Sequence, residues 1–128
     1  MNREKLAELY KVYELNEEHF FKHQHYTIIT RAGIEKIQGI EQIDINYEVL
    51  ECSPNYAAVK SWSMRGQQSI QTLASATKGA TYKDGNTTSW YVLEIAEKRA
   101  MSRLVLKYLD LYKLGFFAED ESEDFKKA

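Results

Sequence analysis

The chain holds one cysteine, one proline and no long apolar run, and each scarcity removes a class of protein. With Cys52 alone, no disulfide closes within the chain and no cysteine-rich zinc site forms. Cys52 falls in a β-rich stretch and reads as a small buried apolar side chain rather than a reactive thiol. Apolar runs of a few residues are too short to span a bilayer. Met1 to Leu6 is charged and lacks the apolar segment of a secretory leader, so the expected location is cytoplasmic. What is present is ordinary for a folded protein: 128 residues, 44% hydrophobic and 28% charged, read as one domain without wholesale disorder.

A formal net charge of -2 argues at first sight against a nucleic-acid partner. The total averages unlike segments. Residues 1–53 carry 6 basic and 10 acidic side chains, residues 54–107 carry 8 and 3, and residues 108–128 carry 3 and 6. The centre is therefore +5, between an acidic first part and an acidic end.

Local patterning gives an order of elements. Leu6, Leu9, Tyr10, Tyr13 and Phe20 recur at helical spacing from Arg3 to Lys22, with a break near Leu15 and a restart capped by Asn16. Tyr26 to Thr30 is a short β-rich run, and Ala32 to Gln38 a short helix ending at Gly39. Ile43, Ile45, Tyr47 and Val49 alternate with polar residues as in a half-buried strand. Turns at Pro54-Asn55 and Arg65-Gly66-Gln67 separate it from strands Tyr56–Met64 and Gln68–Thr77, an antiparallel meander. After a loop over 78–88, Thr88 or Ser89 caps a long helix from Trp90 to about Tyr112. The expected fold is α+β: an N-terminal helix, a three-stranded antiparallel meander, and a long C-terminal helix packed on the sheet. One domain covers 1–118, and 119–128 is an acidic mobile tail.

The long helix presents Leu93, Ala96, Ala100, Leu104, Tyr108 and Leu111 as a core stripe and Arg99, Arg103 and Lys107 as a basic stripe. Lys78 and Lys83 flank Gly79 and Tyr82 in the preceding loop, and Lys60 and Arg65 lie on or beside a strand. Two readings fit. These cations and Trp62 line a groove for a phosphate backbone with bases stacked on an aromatic, or they form the solvated side of an amphipathic helix above a core tryptophan. His19, His23 and His25 lack the further ligand and motif of a zinc site, and no nucleophile–base set has motif-like spacing, so neither a metal nor catalysis is expected.

The run Trp90-Tyr91-Val92-Leu93-Glu94-Ile95-Ala96-Glu97-Lys98-Arg99-Ala100-Met101-Ser102-Arg103 resembles the helix signature of Erf-type single-strand annealing proteins of phage recombination. The wider group includes the eukaryotic Rad annealing protein. Glu94, Ala96, Glu97, Arg99, Ala100, Ser102 and Arg103 match the signature, and Tyr26 to Ile34 is similar to the family's strand and Arg-x-Gly-aliphatic turn. The resemblance covers about residues 20–118. It implies ATP-independent binding of single-stranded DNA and annealing of complementary strands by rings or filaments of the chain, with no cofactor. Arg31, Arg99 and Arg103 are the DNA-contacting residues it carries over. Lys60, Arg65, Lys78, Lys83 and Lys107 join them on position and charge alone. A single-strand-binding protein is a possible further partner for the acidic tail. The rival expectation is an oligomeric structural or interaction protein with the same α+β core and no DNA binding; a small enzyme of unknown chemistry stands behind both.

Overall fold

The computed structural model describes residues 3–23, 26–80 and 84–121. Helix α1, Arg3–Val12, buries Leu9, and the chain leaves it through Tyr13 and Leu15, both buried. The expected break is there, but the restart is a single 3-10 turn, Glu17–His19. The Asn16 side chain accepts from Glu18 N at 2.9 Å, while its own N–H donates to His19 Nδ1 at 3.0 Å. This reciprocal cap satisfies a turn with no buried residue, so nothing holds a longer helix together. Phe20 therefore opens a strand, β1 (Phe20–His23), instead of continuing a helix.

Strand β2, Tyr26–Ile29, pairs antiparallel with β1 and leads into helix α2, Arg31–Glu41. Thr30 caps α2 by accepting from Gly33 N at 3.2 Å. A Cβ on Gly33 would sit 2.8 Å from Ile29 Cγ2 and 3.2 Å from His19 Cβ, so the first turn of α2 lies against β2 only because that residue has no side chain. The helix runs past Gly39, which faces open space; it stops at Gln42, whose left-handed φ of 55° lets its N–H reach the Gln38 carbonyl.

The predicted meander is present as β3 (Asn46–Ser53), β4 (Tyr56–Arg65) and β5 (Gln68–Thr77), in that order. Ala57, Val59, Ser61 and Ser63 of β4 are buried, as are Ile70, Ala74 and Ala76 of β5. Helix α3, Val92–Tyr108, packs over these two strands. The small residues Ala57, Ala74, Ala76, Ala96 and Ala100 at this contact bring helix and sheet close together. Ser61 Oγ (2.9 Å) and Thr72 Oγ1 (3.2 Å) both donate to the Ala100 carbonyl.

The edge strand departs from expectation. Ile43 and Ile45 precede β3, and all eight residues of the strand are exposed, because α3 lies mainly over β4 and β5 and only fringes β3. Cys52 is exposed with them, contrary to the buried placement read from its surroundings. Helix α3 is also shorter than predicted. Its first turn begins after Ser89 Oγ has accepted from Tyr91 N at 3.0 Å, and it ends at Tyr108, whose carbonyl takes an Arg65 Nη1 bond of 2.6 Å. A 3-10 turn, Tyr112–Leu114, and Gly115 at φ 85° then redirect the chain.

Strand β6, Phe116–Ala118, was not foreseen. It pairs parallel with β2, giving a second sheet of order β1-β2-β6. Phe116, Leu9, Ile29, Ile34, Ile37, Val105 and Leu106 form a larger core between this sheet, the two shorter helices and the second half of α3. Helix α3 thus joins two cores, which is why it is buried on more than the single stripe its sequence predicts.

Candidate nucleic-acid interface

Three of the eight predicted cations converge. Lys60, Arg103 and Lys107 line an open cleft of about 700 Å³ along the outer edge of β5, with Gln71, Leu73 and Tyr112. Each arrives by a local rule. Lys60 alternates with the buried Val59 and Ser61, so it lies on the face of β4 away from α3. Arg103 and Lys107 are one helical turn apart. Both lean over the sheet edge, where Arg103 Nη1 donates to the Leu73 carbonyl at 2.9 Å and Lys107 Nζ donates to the Gln71 carbonyl at 2.8 Å. An ammonium has three donors, so the Gln71 bond leaves Lys107 with capacity for a phosphate oxygen.

A second cleft of about 320 Å³ shares Leu73 and Arg103 with the first and continues toward Tyr56 and Ser75. Beyond it, at the end of β5, Lys78 Nζ stands 3.9 Å from the centroid of the Trp90 ring. Trp90 is 67% exposed and Tyr91 70%, an adjacent pair of uncovered aromatics. From Gln71 to Lys78 the strand direction spans about 23 Å. Lys78 and the two exposed aromatics thus lie past the end of the clefts, toward the end of β5. The sequence places Trp90 and Tyr91 in the first turn of the long helix; the helix begins instead at Val92, which leaves both outside it and uncovered.

The other predicted contacts are placed differently. Arg99 is 3% exposed and donates through Nη1 to the Asp120 backbone carbonyl. Arg31 is bound by the same residue: Nη2 and Nε donate to Asp120 Oδ1 at 2.7 and 3.1 Å. That bond, ahead of the cost of burial, holds the Arg31 guanidinium above its ordinary pKa. Ser102 Oγ donates to Asp120 Oδ2 at 2.6 Å, and Arg31 N donates to Glu119 Oε1 at 3.1 Å. Arg31 and Arg99 thus both bind Asp120 in a clamp and lie apart from the β5 cleft, Arg99 buried and Arg31 with its side chain 35% exposed.

The same contacts hold the first residues of the acidic end. Glu119–Glu121 is a 3-10 turn and Asp120 is 8% exposed: Arg31 and Ser102 bond its carboxylate and Arg99 its backbone carbonyl. Residues 122–128 lie outside the described residues, as do Lys83 and Tyr82. Arg65 serves the end of α3: besides its bond to Tyr108 O it lies 3.7 Å from Asp110 Oδ2, and its guanidinium is 5.8 Å from the Tyr108 ring centroid. Trp62 is half-buried on the face of β4 away from α3.

His19 is engaged through Nδ1 in the Asn16 cap, while His25 and the His23 side chain lie outside the described residues. Among the described residues no three His, Cys, Asp or Glu side chains gather as a metal site. No helix of the described residues is long and apolar enough to cross a membrane. No family model, curated protein or solved structure matches the chain.

Proposed function

We propose that the protein binds single-stranded DNA along the β5 edge and anneals complementary strands without nucleotide hydrolysis, acting as a homo-oligomer. The observation that carries the reading is the convergence of Lys60, Arg103 and Lys107 on one cleft along β5, with Lys78 and the exposed Trp90 and Tyr91 farther along toward the end of the same strand. Phosphates on a row of cations and bases on an aromatic pair constitute a sequence-independent mode of holding a single strand. Such a strand keeps its pairing edges outward, which is the condition for meeting a complement. The helix resemblance supports the annealing step, and Arg103 is the signature residue that lies in the cleft.

A second reading rests on a specific feature. Arg103 and Lys107 already bond carbonyls of the β5 edge, as side chains do when they guard a strand against unwanted pairing. In that case the chain is an interaction protein and the cations are edge guards.

Fluorescence anisotropy of a labelled oligonucleotide separates the two. Three phosphate contacts give a log–log salt slope of about -2 for a single strand. Lys60→Glu, Arg103→Glu and Lys107→Glu together should abolish binding, while Lys22→Glu, on β1 of the other sheet, should barely alter it. Absence of binding at about 50 mM salt, where electrostatic association is strong, refutes the DNA reading. Strand-annealing kinetics and the mass of the assembly in solution test the remaining steps.

A further inference from the structure

The two edges of the three-stranded meander are finished differently. Along β5, Lys107 and Arg103 cover the Gln71 and Leu73 carbonyls, and the Asn86 side chain donates to Ser75 O at 3.0 Å and accepts from Thr77 N at 2.7 Å. The opposite edge, β3, pairs only with β4 and is exposed along its whole length. Val49 is 52% and Leu50 50% exposed, at a bulge between Val49 and Glu51. An uncovered edge with apolar side chains is a template for another strand, and this chain protects one edge while leaving the other open.

Charge describes the missing strand. Glu48 and Glu51 lie on β3 itself. Beside it, between the sheet edge and helices α2 and α3, a cleft of about 410 Å³ is lined by Glu35, Gln38, Tyr47, Glu97, Lys98 and Met101. Two carboxylates there oppose one ammonium. Side chains of an added strand that point to the α3 side pass Tyr47 and Val49 and reach this cleft. A lysine or arginine suits that position, its stem against Tyr47 and Met101 and its charge beside Glu35 and Glu97.

We propose that β3 receives an extended, lysine- or arginine-rich segment of another protein as a fourth strand. A second copy is the poorer occupant. Two-fold pairing of β3 with itself sets Glu48 and Glu51 against their own kind, and the β5 edge of a second copy is already covered by Arg103, Lys107 and Asn86. The inference is independent of the DNA reading, since it uses the opposite edge and the opposite charge.

The test uses the full chain and a capped octapeptide alternating lysine with valine, with a glutamate–valine octapeptide as control. Amide hydrogen exchange should slow about tenfold or more over residues 46–53 with the basic peptide and remain unchanged with the acidic one. Glu35→Gln with Glu97→Gln should weaken binding about tenfold while the circular dichroism spectrum is unchanged. Val49→Lys, which leaves the fold's buried residues intact, should also abolish protection. Unaltered exchange over 46–53 at millimolar peptide overturns the proposal, as does equal protection by the acidic peptide or protection over 68–77 instead. Protection of 46–53 that rises with protein concentration alone, together with a doubled mass, overturns it in favour of a second copy.

Discussion

Consider Asp120→Ala. The substitution deletes an oxygen that accepts twice from Arg31, at 2.7 and 3.1 Å, and another that accepts from Ser102 at 2.6 Å. Arg99 donates to the backbone carbonyl of residue 120, so it keeps that bond and loses the neighbouring charge. Breaking a buried ion pair from one side costs about 3–5 kcal/mol. Here the Arg31 side chain is 35% exposed and can rehydrate, whereas Ser102 is fully buried and cannot. The expected loss is therefore at the lower end, about 3 kcal/mol, or roughly 10 °C in Tm for a domain of this size. Urea unfolding followed by circular dichroism measures it. Arg103→Ala, one turn along α3 from the clamp, gives the opposite signature: below about 1 kcal/mol in stability, as for a single hydrogen bond at a sheet edge, with a clear loss of oligonucleotide affinity. An Asp120→Ala protein within about 0.5 kcal/mol of the parent would refute the clamp, because that is the scale of an inconsequential surface change.

Two further outcomes follow from local geometry. Gly85→Ala places a Cβ onto the Thr77 carbonyl oxygen and 2.9 Å from Gly79 N, so it should cost about 2 kcal/mol by prising the loop from the end of β5, and an unchanged urea midpoint would contradict this packing. Burial, with Glu97 adding, pushes the Tyr47 phenol from 10.0 up to about 12. A raised folded pKa means the neutral form is favoured by folding, so its contribution is complete below pH 10 and drains away between about 10 and 12. Tyr47→Phe should flatten the decline in urea midpoint over that window; an equally steep decline in the variant would contradict it.

The meander was legible because β4 and β5 have one covered face, and period-two alternation survives wherever a sheet is buried on one side. It failed at β3, where Tyr47 and Val49 keep the pattern of a buried face that α2 and α3 only fringe, at Tyr47, and leave mostly open. Strand β6 was illegible for a different reason: three residues hold less than two periods, and their pairing depends on β2, nearly ninety residues earlier. Among the site residues, spacing on α3 correctly put Arg103 and Lys107 together, since helical geometry is local. The same spacing could not tell that Arg99, an equal member of the stripe, meets Asp120. That fact lives in how the chain returns through Gly115 and β6, a tertiary event that charge periodicity does not encode.

Segment charge acquires a different meaning once the return path is known. Of the cations that make the centre +5, Arg65 closes the end of α3 and Arg99, buried, closes the clamp, so neither joins the β5 cleft. Lys60, Arg103 and Lys107 remain grouped on the β5 side. The acidic first part places Glu48 and Glu51 on β3 and Glu35 beside the cleft that adjoins it. Glu48 stands opposite Lys60 of the central strand, about 5 Å away, whereas Arg103 and Lys107 at the β5 edge lie roughly 10 Å from β3, about one Debye length at physiological salt. At that spacing the two edges are screened from each other enough to hold partners of opposite charge together, yet at low salt an anionic strand on β5 should be repelled by the β3 carboxylates. Neutralising Glu48 and Glu51 with glutamine should then raise oligonucleotide affinity a few-fold at about 20 mM salt and leave it unchanged at about 150 mM. A gain that persists undiminished at the higher salt would mean that these carboxylates touch the nucleic acid directly, and the separation of the two edges would have to be abandoned.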